Sequence, residues 1–135
     1  MNKIPVIIQA RQSSSRLPSK VMTTFCRSMK MIEFQYQRIK TAFDNVIIAT
    51  STEKSDDEMC IYLKDKAIPY YRGSLNNVME RLICCYEENF SNISPWFVRV
   101  GGDDPLVSID GIKWIYNELL NHNDKKNISM IYSSY

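Results

Sequence analysis

Three cations and a run of hydroxyls are concentrated in one short segment near the start of the chain. An apolar run at residues 4–8 is followed by Arg11, Arg16 and Lys20, and serines occupy positions 13–15 between the two arginines. Arginine offers paired N–H donors to phosphate oxygens, and lysine adds a compact positive charge. A strand that ends in such a loop is suited to hold a polyphosphate. The loop lacks the Gly-x4-Gly-Lys-Ser/Thr pattern of a P-loop, so a solvated basic loop stays open as the alternative.

A pair of carboxylates forms the second candidate group. Asp103 and Asp104 follow two glycines and precede a proline. Magnesium favours one or two protein carboxylates together with phosphate oxygens, so this pair is suited to accompany a phosphate loop. Aspartate, glycine and proline are also common in turns, and a plain turn is the alternative.

Strands and helices alternate in the predicted order of elements. Apolar residues at intervals of three and four predict amphipathic helices over residues 29–43, 55–66, 74–89 and 109–120. Short apolar runs, several of them β-branched, predict strands over residues 4–9, 45–50, 69–71, 96–100 and 128–132. Serines at positions 55, 74 and 108 are expected to cap three helices, the first in a capping box with Glu58. The alternation predicts an α/β fold, a mostly parallel sheet with helices on both faces.

The predicted fold places the two candidate groups at one edge of the sheet. In open α/β sheets, ligands bind beyond the carboxyl ends of the strands. This rule selects the loops at residues 10–20, 51–55 and 101–105, of which the first is cationic and the last is acidic. A metal–triphosphate site formed by these two loops is therefore the stronger interpretation.

Composition limits the classes of protein to which the chain can belong. At 135 residues it is expected to be one domain, residues 1–135. No apolar run reaches the roughly 20 residues that a membrane-spanning helix needs, and the first strand is too short for a signal peptide. A cytoplasmic protein with no membrane partner is therefore expected. Its four cysteines lack metal-ligand spacing, and its one histidine, His122, is interpreted as a solvated residue near a helix end.

Charge is distributed unevenly along the chain. Residues 1–40 carry a net charge of +7 and residues 41–135 carry −5, although the whole chain carries only +2. A basic first third predicts an anionic partner. The cations are not interleaved with aromatic residues, and no nucleic-acid-binding motif is present. A small polyphosphate is therefore favoured over nucleic acid.

Four segments, taken in order, resemble the cytidylyltransferase family that includes spore-coat polysaccharide biosynthesis enzymes and the enzymes that activate Kdo and acylneuraminate sugars. The opening resembles the family pattern Ile-Ile-x-Ala-Arg-x-x-Ser-x-Arg-Leu-Pro-x-Lys, which residues 7–20 match. Residues 49–52, 72–81 and 98–106 resemble the family's second strand end, its Arg-Gly-Ser-x-x-Asp-Val-Leu-x-Arg segment and its metal-binding strand end. Many relatives have glycine at positions 13 and 19, which are serines here, and aspartate at the position of Asn77.

The resemblance implies a truncated nucleotide-diphospho-sugar transferase fold, which is Rossmann-like and here lacks the family's C-terminal sugar-binding half. It also implies a reaction in which a sugar or sugar-acid oxygen attacks the α-phosphate of CTP and releases pyrophosphate, in surface-polysaccharide or sugar biosynthesis. By the resemblance, Arg11, Arg16 and Lys20 hold phosphates as catalytic residues, and Asp103 binds Mg²⁺. The nucleotide-binding residues that it implies are Ala10, Ser14, Ala49, Thr50, Ser51, Arg72, Gly73 and Ser74.

Two other functions stay open at this point. One is a non-catalytic or degenerate nucleotide-binding or scaffold module of the same fold. The other is a nucleotide-sugar-dependent glycosyltransferase with Asp103 and Asp104 as its metal motif, which leaves the N-terminal cations unexplained. The sequence does not name the sugar or decide between a fragment and a natural short form. Self-association into a homo-oligomer, which would cover exposed apolar surface, also stays open.

Overall fold

A four-stranded parallel sheet forms the centre of the protein. The structure, a computed structural model, describes residues 3–13 and 18–121. The strands in chain order are β1 (Val6–Gln9), β2 (Thr24–Cys26), β3 (Met29–Lys30), β4 (Val46–Ser51), β5 (Tyr70–Gly73) and β6 (Val98–Gly101). The main sheet has the order β5-β4-β1-β6, and every neighbouring pair in it is parallel. β2 and β3 form a separate antiparallel hairpin.

Helices cover both faces of the sheet. They are α1 (Met31–Lys40), α2 (Asp57–Asp65), α3 (Val78–Asn89) and α4 (Ile109–Asn121). Side chains alternate between the faces along each strand. On one face, Val6 and Ile8 share a core with residues of α1, α2 and α4, whereas on the other face Ile7 packs with Leu82 and Cys85 of α3. The expected parallel sheet with helices on both faces is therefore observed.

Most element bounds agree with the sequence patterns to within a few residues, but two predicted caps are wrong. A 3-10 turn, Lys54–Asp56, precedes α2, and no side chain caps that helix, so Ser55 and Glu58 form no capping box. Helix α3 begins at Val78 with Asn77 as its cap, because the Asn77 Oδ1 accepts from the Glu80 N–H at 3.0 Å.

The cap predicted for α4 is confirmed, while other features lie outside the sequence prediction. The Ser108 hydroxyl accepts from the Gly111 N–H at 2.9 Å at the start of α4. The β2–β3 hairpin was not predicted, because its turn residues Arg27 and Ser28 have φ of 46° and 70° without a glycine to indicate it. The strand predicted at residues 128–132 lies outside the described residues. Within residues 3–13 and 18–121, no helix combines the length and apolarity needed to cross a bilayer.

Candidate functional site

The carboxyl ends of all four parallel strands meet at one edge of the sheet. Gln9 pairs in register with Ala49 of β4 and with Gly101 of β6. Ser51, the last residue of β4, pairs with Gly73 at the end of β5. The loops that follow these strands therefore start side by side, as the sequence predicted for the loops after β1, β4 and β6.

Buried polar contacts hold the start of the cationic loop against its neighbours. The Ala10 N–H donates to the Ala49 carbonyl at 3.1 Å, so the loop leaves β1 along β4. Gln12 is buried, and its N–H donates to the Asp56 carboxylate at 2.7 Å. The Gln12 Oε1 accepts from the Met59 N–H at 3.1 Å, in the first turn of α2. Arg11, between these two anchors, is half-buried.

The far end of the cationic loop, at Ser19, binds the same residue, Gln12. The Ser19 N–H donates to the Gln12 carbonyl at 2.7 Å, and Ser19 takes the left-handed conformation at φ 59°. Lys20 then begins a 3-10 turn whose next residues, Val21 and Met22, are buried. The structure thus brings the backbone of Lys20 close to that of Gln12. The predicted residues Ser14 and Arg16 lie outside the described residues.

The loop after β4 is organised around one buried carboxylate. Asp56 is fully buried, and its Oδ2 accepts from the Ser51 hydroxyl and, at 3.4 Å, from the Ser51 N–H. The Ser51 hydroxyl also accepts from the Glu53 N–H at 3.2 Å. Thr50 is buried, and its hydroxyl has no hydrogen-bond partner in the described part of the chain. In this structure the Ser51 hydroxyl is therefore engaged within the protein, and its nucleotide-binding role stays a prediction.

Arg72 secures the same loop from β5. Its Nε donates to the Ser51 carbonyl at 2.8 Å, and its Nη2 donates to the Glu53 carbonyl at 2.9 Å. Nη2 also forms an ion pair of 2.7 Å with Asp57, and that hydrogen bond raises the pKa of the guanidinium. All three of these contacts of Arg72 lie between the end of β4 and the first turn of α2. The nucleotide-binding role of Arg72 stays a prediction.

Gly73 and Ser74 lie beside a residue that the site prediction did not include. A Cβ on Gly73 would stand 2.9 Å from the Arg81 Cγ, so the glycine leaves room for that side chain. Arg81 is fully buried, and its Nη1 donates to the Ser74 carbonyl at 3.1 Å. A sequence signal for it exists: Arg81 falls on the apolar face of α3, between the helical positions of Val78 and Cys85.

Asp103 is exposed at the end of the acidic loop, close to the cationic one. The Gly102 N–H donates to the Gln9 carbonyl at 2.7 Å, and a Cβ on Gly102 would stand only 2.7 Å from the Ala10 Cβ. The Asp103 Oδ1 lies over Gly101, 2.9 Å from where its Cβ would be. Glycine at position 102 therefore lets the backbones of the two loops pack directly together.

Two side chains of α1 hold the acidic loop in place by donating hydrogen bonds to its carbonyls. Gln35 is fully buried, and its Nε2 donates to the Gly101 carbonyl at 2.7 Å. The Arg38 Nη1 donates to the carbonyls of Pro105 at 2.8 Å and Val107 at 3.2 Å. Neither residue belonged to the predicted site, because a helical glutamine and arginine resemble ordinary surface residues in sequence.

The chemistry of the donors fits a magnesium ion that a nucleotide brings with it. Over residues 3–13 and 18–121, no three His, Cys, Asp or Glu side chains gather as a metal-binding group. Asp103 nevertheless offers an exposed carboxylate beside the cationic loop. Magnesium keeps several waters and takes one or two carboxylates together with phosphate oxygens, so it does not require a larger protein cluster.

Proteins of one family resemble this chain. The profile of the cytidylyltransferase family matches residues 5–134. The spore coat polysaccharide biosynthesis protein SpsF of Bacillus subtilis is 33% identical over 113 residues, which are 79% of this chain and 45% of SpsF. The 3-deoxy-manno-octulosonate cytidylyltransferase of Francisella tularensis is 28% identical over 123 residues, 84% of this chain and 44% of that enzyme.

A solved structure shows the same arrangement of elements. A cytidylyltransferase from Leptospira borgpetersenii superposes with a TM-score of 0.78 at 30% identity, over 90% of this chain and 50% of that one. This similarity confirms the predicted Rossmann-like α/β fold. The chain spans about half the length of the curated relatives that it matches. Because the family profile covers nearly all of its residues, the chain belongs to the cytidylyltransferase family.

Proposed function

We propose that this chain binds CTP with Mg²⁺ at the carboxyl edge of its sheet and serves in the transfer of CMP to a sugar or sugar acid. The supporting observation is the direct packing of the acidic loop on the start of the cationic one, where a Cβ on Gly102 would stand only 2.7 Å from the Ala10 Cβ. A nucleoside triphosphate with its magnesium carries both the anionic oxygens and the cation that such a pair of loops attracts. Transfer to a sugar acid follows the activity that the name of the Francisella relative states.

In the proposed reaction, a sugar oxygen attacks the α-phosphorus of CTP and the bond to the bridging oxygen of the β-phosphate breaks. The proton of the attacking hydroxyl passes to solvent, and pyrophosphate leaves. No protein nucleophile is needed, since alignment and stabilisation of charge carry the rate. Arg11, Arg16 and Lys20 would stabilise the charge that develops on the phosphate oxygens. Asp103 would hold Mg²⁺, which when bound neutralises further phosphate charge.

The remaining predicted residues surround the nucleotide in this proposal. Ala10 and Ser14 would lie along the phosphates. Residues 49–51 and 72–74 would line the nucleoside, chiefly through backbone groups, since the side chains of Ser51 and Arg72 are already engaged. The proposal places the protein in the cytoplasm, where its CTP would be supplied.

Calorimetric titration with the four nucleoside triphosphates and Mg²⁺ tests the proposal. We expect CTP to bind, and Arg11→Ala and Asp103→Ala to weaken it at least tenfold. Arg27→Ala is the matched control for the first, because Arg27 is exposed in the turn of the β2–β3 hairpin. Asp104→Ala is the control for the second. Absence of binding to all four triphosphates would exclude the proposal.

Release of pyrophosphate separates a catalyst from a binding module of the same fold. The reaction mixture would contain CTP, Mg²⁺ and candidate acceptors, beginning with 3-deoxy-manno-octulosonate because a relative is named for it. Release above the rate without acceptor supports transfer. CTP binding without release with any acceptor would favour the non-catalytic module.

A further inference from the structure

Arg81 is buried without partners for most of its hydrogen-bonding capacity. The residue has no exposed surface, although arginine is among the residues least often buried. Nη1 donates to the Ser74 carbonyl at 3.1 Å, but Nε and Nη2 have no hydrogen-bond partner within residues 3–13 and 18–121. Buried donors are nearly always paired in proteins, and a buried charge left unpaired is strongly unfavourable. The unpaired Nε and Nη2 donors of Arg81 therefore indicate a position where a ligand could bind.

The unpaired nitrogens have the geometry of a bidentate donor. Nε and Nη2 lie side by side on one edge of the planar guanidinium, while Nη1, on the other side, is held by Ser74. Such an edge matches two oxygens of one phosphate or carboxylate group, each accepting one hydrogen bond. Lysine, with a single point charge, would not reproduce this pairing.

Arg81 lies next to loops of the candidate site. Its one hydrogen bond goes to the loop after β5, and its Cγ packs where a Cβ on Gly73 would be. The charged groups that act on it are Arg11, after β1, and Asp56, after β4. Burial lowers the pKa of the Arg81 guanidinium and the positive charge of Arg11 lowers it further, whereas Asp56 opposes both.

Asp56, the acidic group that acts on Arg81, already has other hydrogen-bond partners. The Asp56 carboxylate accepts from the Gln12 N–H and from Ser51, and no hydrogen bond joins it to Arg81. Among the described residues, the charged groups that act on the Arg81 guanidinium are thus Arg11 and Asp56, and the oxygens of the Asp56 carboxylate are in use. An added anion would relieve the repulsion between Arg11 and Arg81 and would pair the free edge.

We propose that the Nε–Nη2 edge of Arg81 binds an oxyanion of the ligand, either a phosphate or a carboxylate group. The proposal deepens the proposed function, on which it rests for the identity of the ligand. It adds to the three predicted cations a fourth one, which is fixed by the fold on the α3 side of the sheet. Gly73 supports it by leaving space for the Arg81 side chain.

The test combines binding with stability in Arg81→Met and Arg81→Lys. Methionine keeps most of the length without charge, and lysine keeps the charge without the bidentate edge. Arg27→Met, in the exposed hairpin turn, is the matched control. Calorimetry would use four probes with each variant: CTP with Mg²⁺, inorganic pyrophosphate, cytidine and 3-deoxy-manno-octulosonate.

We expect both variants at Arg81 to lose at least tenfold in affinity for the probe that supplies the oxyanion, while cytidine binding stays the same. A joint loss for CTP and pyrophosphate would identify a phosphate, and a loss confined to the sugar acid would identify a carboxylate. We also expect the melting temperature of unliganded Arg81→Met to equal or exceed that of the wild type, since the unpaired charge is gone.

Unchanged affinity together with reduced stability would show that Arg81 has only a structural role. Unchanged affinities in both variants, with a lower melting temperature in Arg81→Met, would overturn the proposal. If Arg81→Met does not fold, Arg81→Lys alone decides by the same affinities. A wild-type protein that binds pyrophosphate through Arg81 but no CTP would end the proposed function and leave this inference standing. Failure of all four probes on the wild type would overturn both.

Discussion

The substitution Asp56→Asn tests whether one buried carboxylate joins the loops after β1 and β4. In the wild type, Oδ1 accepts from the Gln12 N–H at 2.7 Å, and Oδ2 accepts from the hydroxyl and N–H of Ser51. Asparagine has nearly the same shape, so it leaves no cavity. Its amide nitrogen is a donor, however, and it must face either the Gln12 N–H or the donors of Ser51.

The expected loss of stability follows from the hydrogen bonds that change. If the amide nitrogen faces the Gln12 N–H, that bond to a charged acceptor disappears, which costs about 1.5–3 kcal/mol, and the two bonds from Ser51 weaken to neutral bonds, which together cost about 1 kcal/mol. We therefore expect a decrease of about 3 kcal/mol in the free energy of unfolding. With an unfolding entropy of about 2.1 cal/mol/K per residue over the chain, this decrease lowers the melting temperature by about 10 °C.

Urea unfolding at pH 7 and thermal melts would measure this effect against Asp57→Asn. Asp57 is adjacent and exposed, and its ion pair with Arg72 is partly solvated, so its loss should cost less than about 1 kcal/mol. If the two variants lose equal stability, or if Asp56→Asn loses less than its neighbour, the buried carboxylate does not join the loops in the way described.

Three further predictions concern single positions. Ser19→Gly should raise the free energy of unfolding by about 1 kcal/mol, because Ser19 has φ 59°, whereas Ser13→Gly should not stabilise. Gly73→Ala should cost about 1–3 kcal/mol by overpacking against Arg81, whereas Gly101→Ala should cost less, since its Cβ meets only the Asp103 carboxylate; thermal melts decide both pairs. Burial raises the pKa of the Cys85 thiol to about 12, above its ordinary value of 9.0, so the folded protein keeps a proton that the unfolded chain loses. The contribution of Cys85 to the free energy of unfolding is therefore complete below about pH 9 and falls by up to about 1.4 kcal/mol per pH unit toward pH 12. Urea unfolding at pH 8 and 10.5 should show a smaller decrease in the free energy of unfolding for Cys85→Ala than for the wild type.

The sequence predicted the main sheet and the edge at which the candidate site lies, because both depend on apolar patterns. The β-branched runs of β1 and β4 are buried in the structure. Loops that follow parallel strands must meet at one edge, so Arg11, Lys20 and Asp103 could be associated from the order of elements alone. Helix caps were less predictable: Asn77 caps α3 where Ser74 was expected, since several polar residues before a helix can accept its first N–H groups.

The buried polar residues that position the site could not be predicted from apolar periodicity. Gln12 and Asp56 are 44 residues apart in sequence and meet only in the fold. Asp56 in particular precedes a helix, where an aspartate ordinarily caps the helix; here its carboxylate accepts from Gln12 and Ser51 and α2 has no side-chain cap. A rule based on local sequence assigns such a residue to the wrong partner.

These polar contacts also fix the two described ends of the candidate phosphate loop without the glycine-rich sequence of a P-loop. The Gln12 carbonyl and N–H bind the two neighbouring elements, Ser19 at the end of the loop and Asp56 before α2. Both described ends of the loop are thus fixed to Gln12. Ser19 adopts the left-handed conformation without glycine, so this end of the loop carries backbone strain. It follows that Gln12→Ala, with Gln37→Ala on the exposed surface of α1 as its control, should shift the loop only slightly, because the backbone groups of Gln12 remain in place and only the bond from its Oε1 to the Met59 N–H is lost.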